Sequence, residues 1–228
     1  LMIEPIPALP GNGTLIGSWS LDNFDYKAPF NPLWAFSQTQ TIYPTEMFAG
    51  VAAGSKFDSV SFYGYYPQST TPGGGDEGGD EGDDWGYGYE APARAEAESK
   101  TFNVKLYMLS VDETAFAAGD SFIPVGDAEP LYDGPVTLTT GGEATHPVEL
   151  FKVDFARPFE YEGRPVLLYC DATDGASTLA YFCFDGSFKS QVLGRAASNE
   201  PTLETSAATL YTEGMPVMRL GNYVEAPT

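Results

Sequence analysis

The residues with the clearest chemical potential lie between positions 71 and 90, where glycine and carboxylates alternate before one tryptophan and two tyrosines. Carboxylates are the oxygen ligands that Ca²⁺ prefers. Before the aromatic residues they stand at positions 76, 77, 80, 81, 83 and 84, a spacing that fits neither the helix-loop-helix calcium loop nor the glycine-rich nonapeptide repeat. We expect a solvated acidic insertion and no cofactor, with weak calcium binding as the alternative.

Aromatic residues at the end of this stretch, and elsewhere beside turns, are candidates for ligand recognition. An exposed aromatic ring supplies a large contact area with only two side-chain torsions to order, and it can stack on a sugar ring. The alternative is that these rings fold back and cover part of the core. The candidate ligand-binding residues are Trp34, Tyr65, Tyr66, Trp85, Tyr87 and Tyr89.

Two cysteines, Cys170 and Cys183, lie on neighbouring predicted strands joined by DATDGASTL. The Asp-Gly pair at 174 and 175 favours a hairpin, which could bring the two thiols within disulfide distance. A disulfide there would stabilise the chain by about 3 kcal/mol in the loop-entropy model. Two buried free thiols are the other interpretation, and it is slightly favoured.

Catalytic side chains are scarce. The only histidine is His146, which excludes a histidine-rich metal site and leaves a Ser/His/Asp arrangement dependent on this one residue. A pair of carboxylates could serve a glycoside hydrolase. Among 32 acidic residues some pairing is inevitable, so a surface role is expected for each candidate. The four candidates are Glu160, Glu162, Asp171 and Asp185.

The overall charge narrows the class of partner. The net charge is -21, from 32 acidic and 11 basic residues, and only seven of the acids lie between 71 and 90. Such a chain repels phosphate backbones, so we expect no nucleic-acid partner. The sequence contains no run of 18 or more apolar residues, so no membrane span is predicted.

Short alternating segments dominate the rest of the chain. In TFNVKLYML, Phe102, Val104, Leu106 and Met108 share one face, which predicts a strand with one buried side. Strands are predicted in the same way, with turn signals between them, at 37–48, 56–66, 130–138, 148–155, 164–172, 179–186 and 215–221. This pattern predicts an all-β chain built as an antiparallel β-sandwich of the jelly-roll kind.

The predicted organisation is a single domain. Residues 1–16, rich in proline and glycine, are expected to form an extended N-terminal arm or linker, and residues 17–228 the sandwich. Residues 67–100 are expected to be a flexible, acidic, glycine-rich insertion, because they contain too few aliphatic residues to offset the entropy of ordering them.

The order of the strands carries a resemblance. The segments SQTQTIYPTEMF, KFDSVSFYGYY, FNVKLYMLSVDETAF, PLYDGPVTL and KVDFARPFEYEGRPVLLYCDATDG, followed by YFCFDG, cover about residues 35 to 190. In this order they resemble a β-sandwich module of surface and secreted proteins of Gram-negative gut and oral anaerobes. The resemblance implies an adhesin-like or carbohydrate-associated role, and it implies no catalytic residues.

The expected function is therefore a non-catalytic binding or adhesion module, extracellular or on the outer cell surface, and part of a larger surface protein or lipoprotein. Its expected partner is a glycan or a cell-surface protein. A structural spacer is the first alternative, and a carboxylate-dependent glycoside hydrolase is the second.

Overall fold

The computed structural model describes residues 11–19, 24–25, 27–65, 99–116, 121–139, 147–175, 181–188, 192–211 and 214–225. These residues contain thirteen strands, a 3₁₀ helix at Thr45–Phe48 and one single-turn α-helix. In chain order the elements are β1 Thr14–Ile16, β2 Phe24–Asp25, β3 Phe36–Tyr43, β4 Lys56–Tyr65, β5 Ser99–Ser110, β6 Tyr132–Thr139, β7 Val148–Glu160, β8 Val166–Thr173, β9 Tyr181–Asp185, β10 Val192–Ala197, α1 Glu200–Leu203, β11 Thr209–Tyr211, β12 Met215–Pro216 and β13 Met218–Asn222.

The strands form two antiparallel sheets. The six-stranded sheet has the order β11-β10-β3-β8-β5-β6. The seven-stranded sheet follows β1-β13-β4-β9-β12, with β2 paired to β9 and β7 paired to β4. Consecutive strands from β3 to β5, and again from β6 to β10, alternate between the two sheets. The prediction of an all-β sandwich is confirmed.

The core lies between the inner faces of the two sheets. On β5 the buried residues are Phe102, Val104, Leu106 and Met108, as the alternation predicts. Phe30, from the segment before β3, joins the two layers, because its ring lies 5.0 Å from that of Phe102 in one sheet and 5.7 Å from that of Phe151 in the other. Val60 and Phe62 of β4 face the same core.

Most predicted strands are present, with two kinds of difference. The strand predicted at 37–48 ends at Tyr43, and Thr45–Phe48 forms a 3₁₀ helix instead, since Pro44 has no amide hydrogen with which to extend the ladder. Strands β1, β2, β10 and β11 were not predicted. In β10, a Cβ on Gly194 would meet the Tyr211 ring at 2.9 Å, so this glycine allows close packing within the strand.

The N-terminal arm and the insertion fall largely outside the described residues. Thr14–Ile16, at the end of the expected arm, forms β1 and pairs with β13, so this part belongs to the sandwich. Of the expected insertion at 67–100, only Ser99 and Lys100 are described, and they begin β5.

The hairpin predicted between the two cysteines is wrong. Strand β8, which contains Cys170, pairs with β3 and β5 in one sheet, whereas β9 pairs with β2, β4 and β12 in the other. The two strands therefore lie in different sheets and do not pair with each other. Cys170 is buried and is a free cysteine, so the disulfide to Cys183 is not formed.

Candidate ligand-binding face

The outer side of the six-stranded sheet brings polar and aromatic side chains together. Because side chains alternate along a strand, the residues between the buried positions of β5 point away from the core. They meet the outward residues of β8 and β6 in register. We call this surface, together with the loop residues at its end, the outer face; it comprises Trp34, Gln38, Asn103, Lys105, Tyr107, Asp133, Tyr169, Asp171, Asp174 and Arg195.

A row of polar residues crosses five strands of this face. Arg195 is paired with Gln38, and Gln38 with Asp171. Asp171 is paired on its other side with Lys105, which is paired in turn with Asp133. Neighbouring strands lie about 4.8 Å apart, so the row is about 19 Å long. It offers donors and acceptors in alternation along a line perpendicular to the strands.

Hydrogen bonds and charge hold this row in place. The Arg195 Nε–H donates to Gln38 Oε1 at 2.8 Å, and the Gln38 amide donates to Asp171. Burial raises the pKa of Asp171 above its ordinary value, while the Gln38 bond and the nearby Lys105 charge oppose this rise. Lys105 Nζ lies 4.0 Å from Asp133 Oδ2. Asp171 is therefore a half-buried acceptor whose orientation is fixed by its neighbours.

An aromatic cluster lies beside the polar row. Tyr107 and Tyr169 are direct cross-strand partners, and their rings stack at 5.3 Å between centroids. Phe122 packs on Tyr169 at 6.3 Å, and the Arg195 guanidinium lies 5.2 Å from the Phe122 ring centre. Burial raises the pKa of the Tyr169 phenol, so this hydroxyl keeps its proton and remains a donor at neutral pH.

A backbone segment around Ile123 borders the face on one side. The buried Gln40 side chain fixes it with two hydrogen bonds of 2.7 Å, accepting from the Ile123 N–H and donating to the Ile123 carbonyl. On the other side, the Arg195 Nη1 donates to the Glu204 carbonyl just beyond α1 at 3.1 Å. Lys105 and Asp133, on β5 and β6 toward the other edge of the sheet, remain exposed.

The loop before β3 adds an exposed tryptophan at the end of the face. Trp34 is 44% exposed. The next residue, Ala35, accepts a 3.2 Å hydrogen bond from the Gly175 N–H, which ties this loop to the end of β8. Beside Gly175, Asp174 accepts a 2.6 Å hydrogen bond from the Asn103 amide. Asp174 has φ 64, a left-handed conformation that aspartate tolerates better than most residues.

This arrangement is suited to binding. It combines an exposed indole with amide, carboxylate and ammonium groups held by neighbours, and saccharides are bound by this combination of ring stacking and directed hydrogen bonds. No residue of the face is a histidine or cysteine that could act as a nucleophile or base.

Among the residues predicted from sequence to bind ligand, Trp34 is exposed, in the loop that bonds to the end of β8. Tyr65 is the last residue of β4, where its backbone pairs with Tyr181 of β9. Its side chain lies outside the described part of the chain, as do Tyr66, Trp85, Tyr87 and Tyr89. Sequence reasoning missed most of the face. Alternation in β5 did place Asn103, Lys105 and Tyr107 on the outer side. Which residues of β8 and β10 join them depends on strand pairing, which the alternation does not predict.

The four carboxylates considered for a hydrolase have separate structural roles. Glu160 pairs with Lys56, and Glu162 with Arg164, both on the surface. Asp171 lies in the six-stranded sheet, whereas Asp185 belongs to β9 in the other sheet.

Asp185 is a buried anchor for two turns. It accepts hydrogen bonds from the Ser18 and Ser187 amides, both at 2.9 Å. These bonds satisfy a carboxylate that is 95% buried.

In the part of the chain that the structure describes, no group of three or more histidine, cysteine or acidic side chains could hold a metal ion. The acidic residues at 71–90 and His146 lie outside that part of the chain. The described helix is a single turn, and none that could span a bilayer is found.

Comparisons with family models, with curated proteins and with solved structures give no match to this chain.

Proposed function

We propose that this chain is a non-catalytic binding module that recognises a saccharide on the outer face of its six-stranded sheet. It acts outside the cell or on the outer cell surface, as part of a larger surface protein. The sequence resemblance and the highly acidic composition support that location. The binding itself is supported by the polar row and by Trp34.

The observation that carries the proposal is the polar row, together with the exposed indole of Trp34 in the loop that bonds to the end of β8. Trp34 supplies a surface on which a pyranose ring can stack. Asn103, Asp171 and Lys105 supply an amide, an acceptor and a donor whose positions are set by strand register. A row about 19 Å long suits several sugar rings in an extended chain more than a single ring.

The charges of the face favour an uncharged ligand. Arg195 and Lys105 alternate with Asp171 and Asp133, so neither sign prevails along the row. A hydroxyl group both donates and accepts, and it can satisfy either kind of neighbour. An acidic polysaccharide would in addition be repelled by the net charge of -21.

The test is a glycan array probed with the whole chain, in the presence of calcium and of chelator, followed by calorimetry on any glycan that binds. We expect saturable binding that is indifferent to chelator. Trp34→Ala should weaken binding by about tenfold, the effect of losing a stacking contact worth about 1.4 kcal/mol. Lys105→Met should weaken it as well, because it removes a donor from the centre of the row.

A matched control is Tyr223→Ala. Tyr223 is 41% exposed, close to the 44% of Trp34, but it follows β13 and its N–H bonds to Lys56 of the other sheet. Equal affinity of wild type, Trp34→Ala and Lys105→Met would contradict the assignment to this face. If no glycan binds, the module is a structural spacer or has a protein partner. If chelator abolishes binding, the alternative of a calcium-dependent site replaces ours.

A further inference from the structure

A second concave site lies on the outer side of the seven-stranded sheet, on the opposite face of the sandwich. It is a groove of about 530 Å³, within the range of small-molecule sites. It runs along β4 between β13 and β7. The residues that matter most are Asp58, Ser59, Ser61, Lys152, Arg219 and Gly221.

Small side chains in the middle strand create the groove. Ser61 is paired with Arg219 on one side and with Lys152 on the other, so two long side chains rise on either side of a short one. Ser59 is paired with Gly221, and a Cβ on that glycine would lie 2.1 Å from the Ser59 hydroxyl. The floor of the groove is thus formed by small residues.

The N-terminal segment forms one wall. Gly13 has φ 121, and a Cβ there would lie 2.2 Å from the Leu220 carbonyl, so only glycine lets this segment lie against β13. Arg219 ties the wall to the floor, because its Nη1 donates to the Gly13 carbonyl at 3.2 Å and its Nε donates to the Tyr63 hydroxyl at 3.0 Å. The groove is therefore built by the packing of three strands and of the segment just before β1.

The lining is polar with balanced charge. Two cations, Lys152 and Arg219, face two carboxylates, Asp58 and Glu149. Lys152 also bonds to Asp154 at 3.0 Å, and this bond raises its pKa, so the ammonium is charged at neutral pH. An anionic ligand would meet the carboxylates, and a cationic ligand would meet Lys152 and Arg219. A neutral ligand rich in hydroxyl groups can use both sets at once.

We infer that this groove is a second binding site, specific for a neutral saccharide of one to a few rings or a similar polyol. It does not depend on the face proposed above, and it lies on the other side of the molecule. With both sites occupied, one chain would bridge two saccharide strands. Such bridging raises apparent affinity for a polymer without any new contact.

The experiment is protein-observed NMR of the whole chain, titrated with cellobiose, maltose and N,N′-diacetylchitobiose, and with glucuronate and glucosamine as charged probes. We expect at least one neutral sugar to shift the amide signals of Ser59, Ser61 and Gly221 in a saturable manner. The charged probes should bind at least about tenfold more weakly. Shifts confined to Asn103, Lys105 and Asp171 would support the first site and overturn this one.

Two variants and a matched control test the site. Ser61→Phe fills the groove from its floor, and Lys152→Met keeps the aliphatic stem but removes the ammonium. Each should abolish the shifts or weaken binding by at least about tenfold. Lys56→Met is the control. The Lys56 side chain is 51% exposed and paired with Glu160, and the Lys152 side chain is 49% exposed and paired with Asp154. Unlike Lys152, Lys56 does not line the groove.

The outcomes separate the two proposals. Loss of groove shifts in Lys152→Met, with Lys56→Met unchanged, supports the second site whether or not the outer face binds. Unchanged shifts in Lys152→Met and in a folded Ser61→Phe overturn it. If no neutral sugar shifts Ser61 or Gly221, the inference fails, while binding on the outer face is still judged by the Trp34→Ala result.

Discussion

Replacing Gly175 with alanine should disturb the site where the core, the end of β8 and the Trp34 loop meet. Gly175 is buried and donates its N–H to the Ala35 carbonyl. A Cβ at this position would lie 2.0 Å from Cε1 of Phe102 and 2.9 Å from the Trp34 carbonyl oxygen. The added methyl group therefore presses on a core ring on one side and on a backbone oxygen on the other.

The size of the effect follows from these distances. The Phe102 contact is about 1.4 Å shorter than 3.4 Å, the lower end of ordinary van der Waals contact. Phe102 is 1% exposed and packs against Phe30 at 5.0 Å, so its ring has no solvent to move into. Overpacking of this kind costs about 3 kcal/mol. For a chain of this length, that corresponds to a fall in melting temperature of about 6 to 12 °C.

Urea unfolding followed by tryptophan fluorescence and circular dichroism would measure this loss. Gly126→Ala is a suitable control, because a Cβ there meets nothing within 4 Å and only the positive φ of 57 opposes it. We expect the control to lose about 1 kcal/mol. If Gly175→Ala is no less stable than Gly126→Ala, the tight packing between Phe102 and the Trp34 loop is refuted. If Gly175→Ala still binds glycan with unchanged affinity, the position of Trp34 does not depend on the packing between Gly175 and Phe102.

Three further predictions concern buried polar groups. Tyr43→Phe should lower the free energy of unfolding, measured in urea, by about 1 to 3 kcal/mol, because the Tyr43 hydroxyl donates to the Pro216 carbonyl across the sandwich at 2.8 Å and its loss leaves a buried acceptor unpaired. An unchanged urea midpoint would contradict this bond. In a Cys183→Ser chain, the Cys170 thiol should resist a thiol-specific reagent until the chain unfolds, because this thiol is buried and burial raises its pKa. Rapid labelling of the folded chain would refute that burial. Asp171→Asn should gain stability relative to wild type as pH rises above 3.8, the ordinary pKa of the carboxyl. A carboxyl whose pKa is raised by folding makes the folded chain less stable as pH rises through that raised value. A constant difference between the two chains would show that burial does not perturb Asp171.

Sequence alone determined the class of fold. The alternation in β5 fixed which side is buried, since a strand with one apolar face can only place that face on the core. The outward positions of Asn103, Lys105 and Tyr107 follow from the same period. The sequence left open whether Trp34 is exposed or folds back to cover part of the core.

Only the tertiary structure decided what those residues face. The sequence suggested a hairpin between β8 and β9 because Asp-Gly is a strong turn signal, but the connection crosses from one sheet to the other. Strand order is a matter of long-range packing, and short-range patterns carry little information about it. The polar row depends on β10, β3, β8, β5 and β6 lying side by side. The groove on the other sheet likewise exists because Ser61 stands between Lys152 and Arg219, residues more than 60 positions apart from one another along the chain.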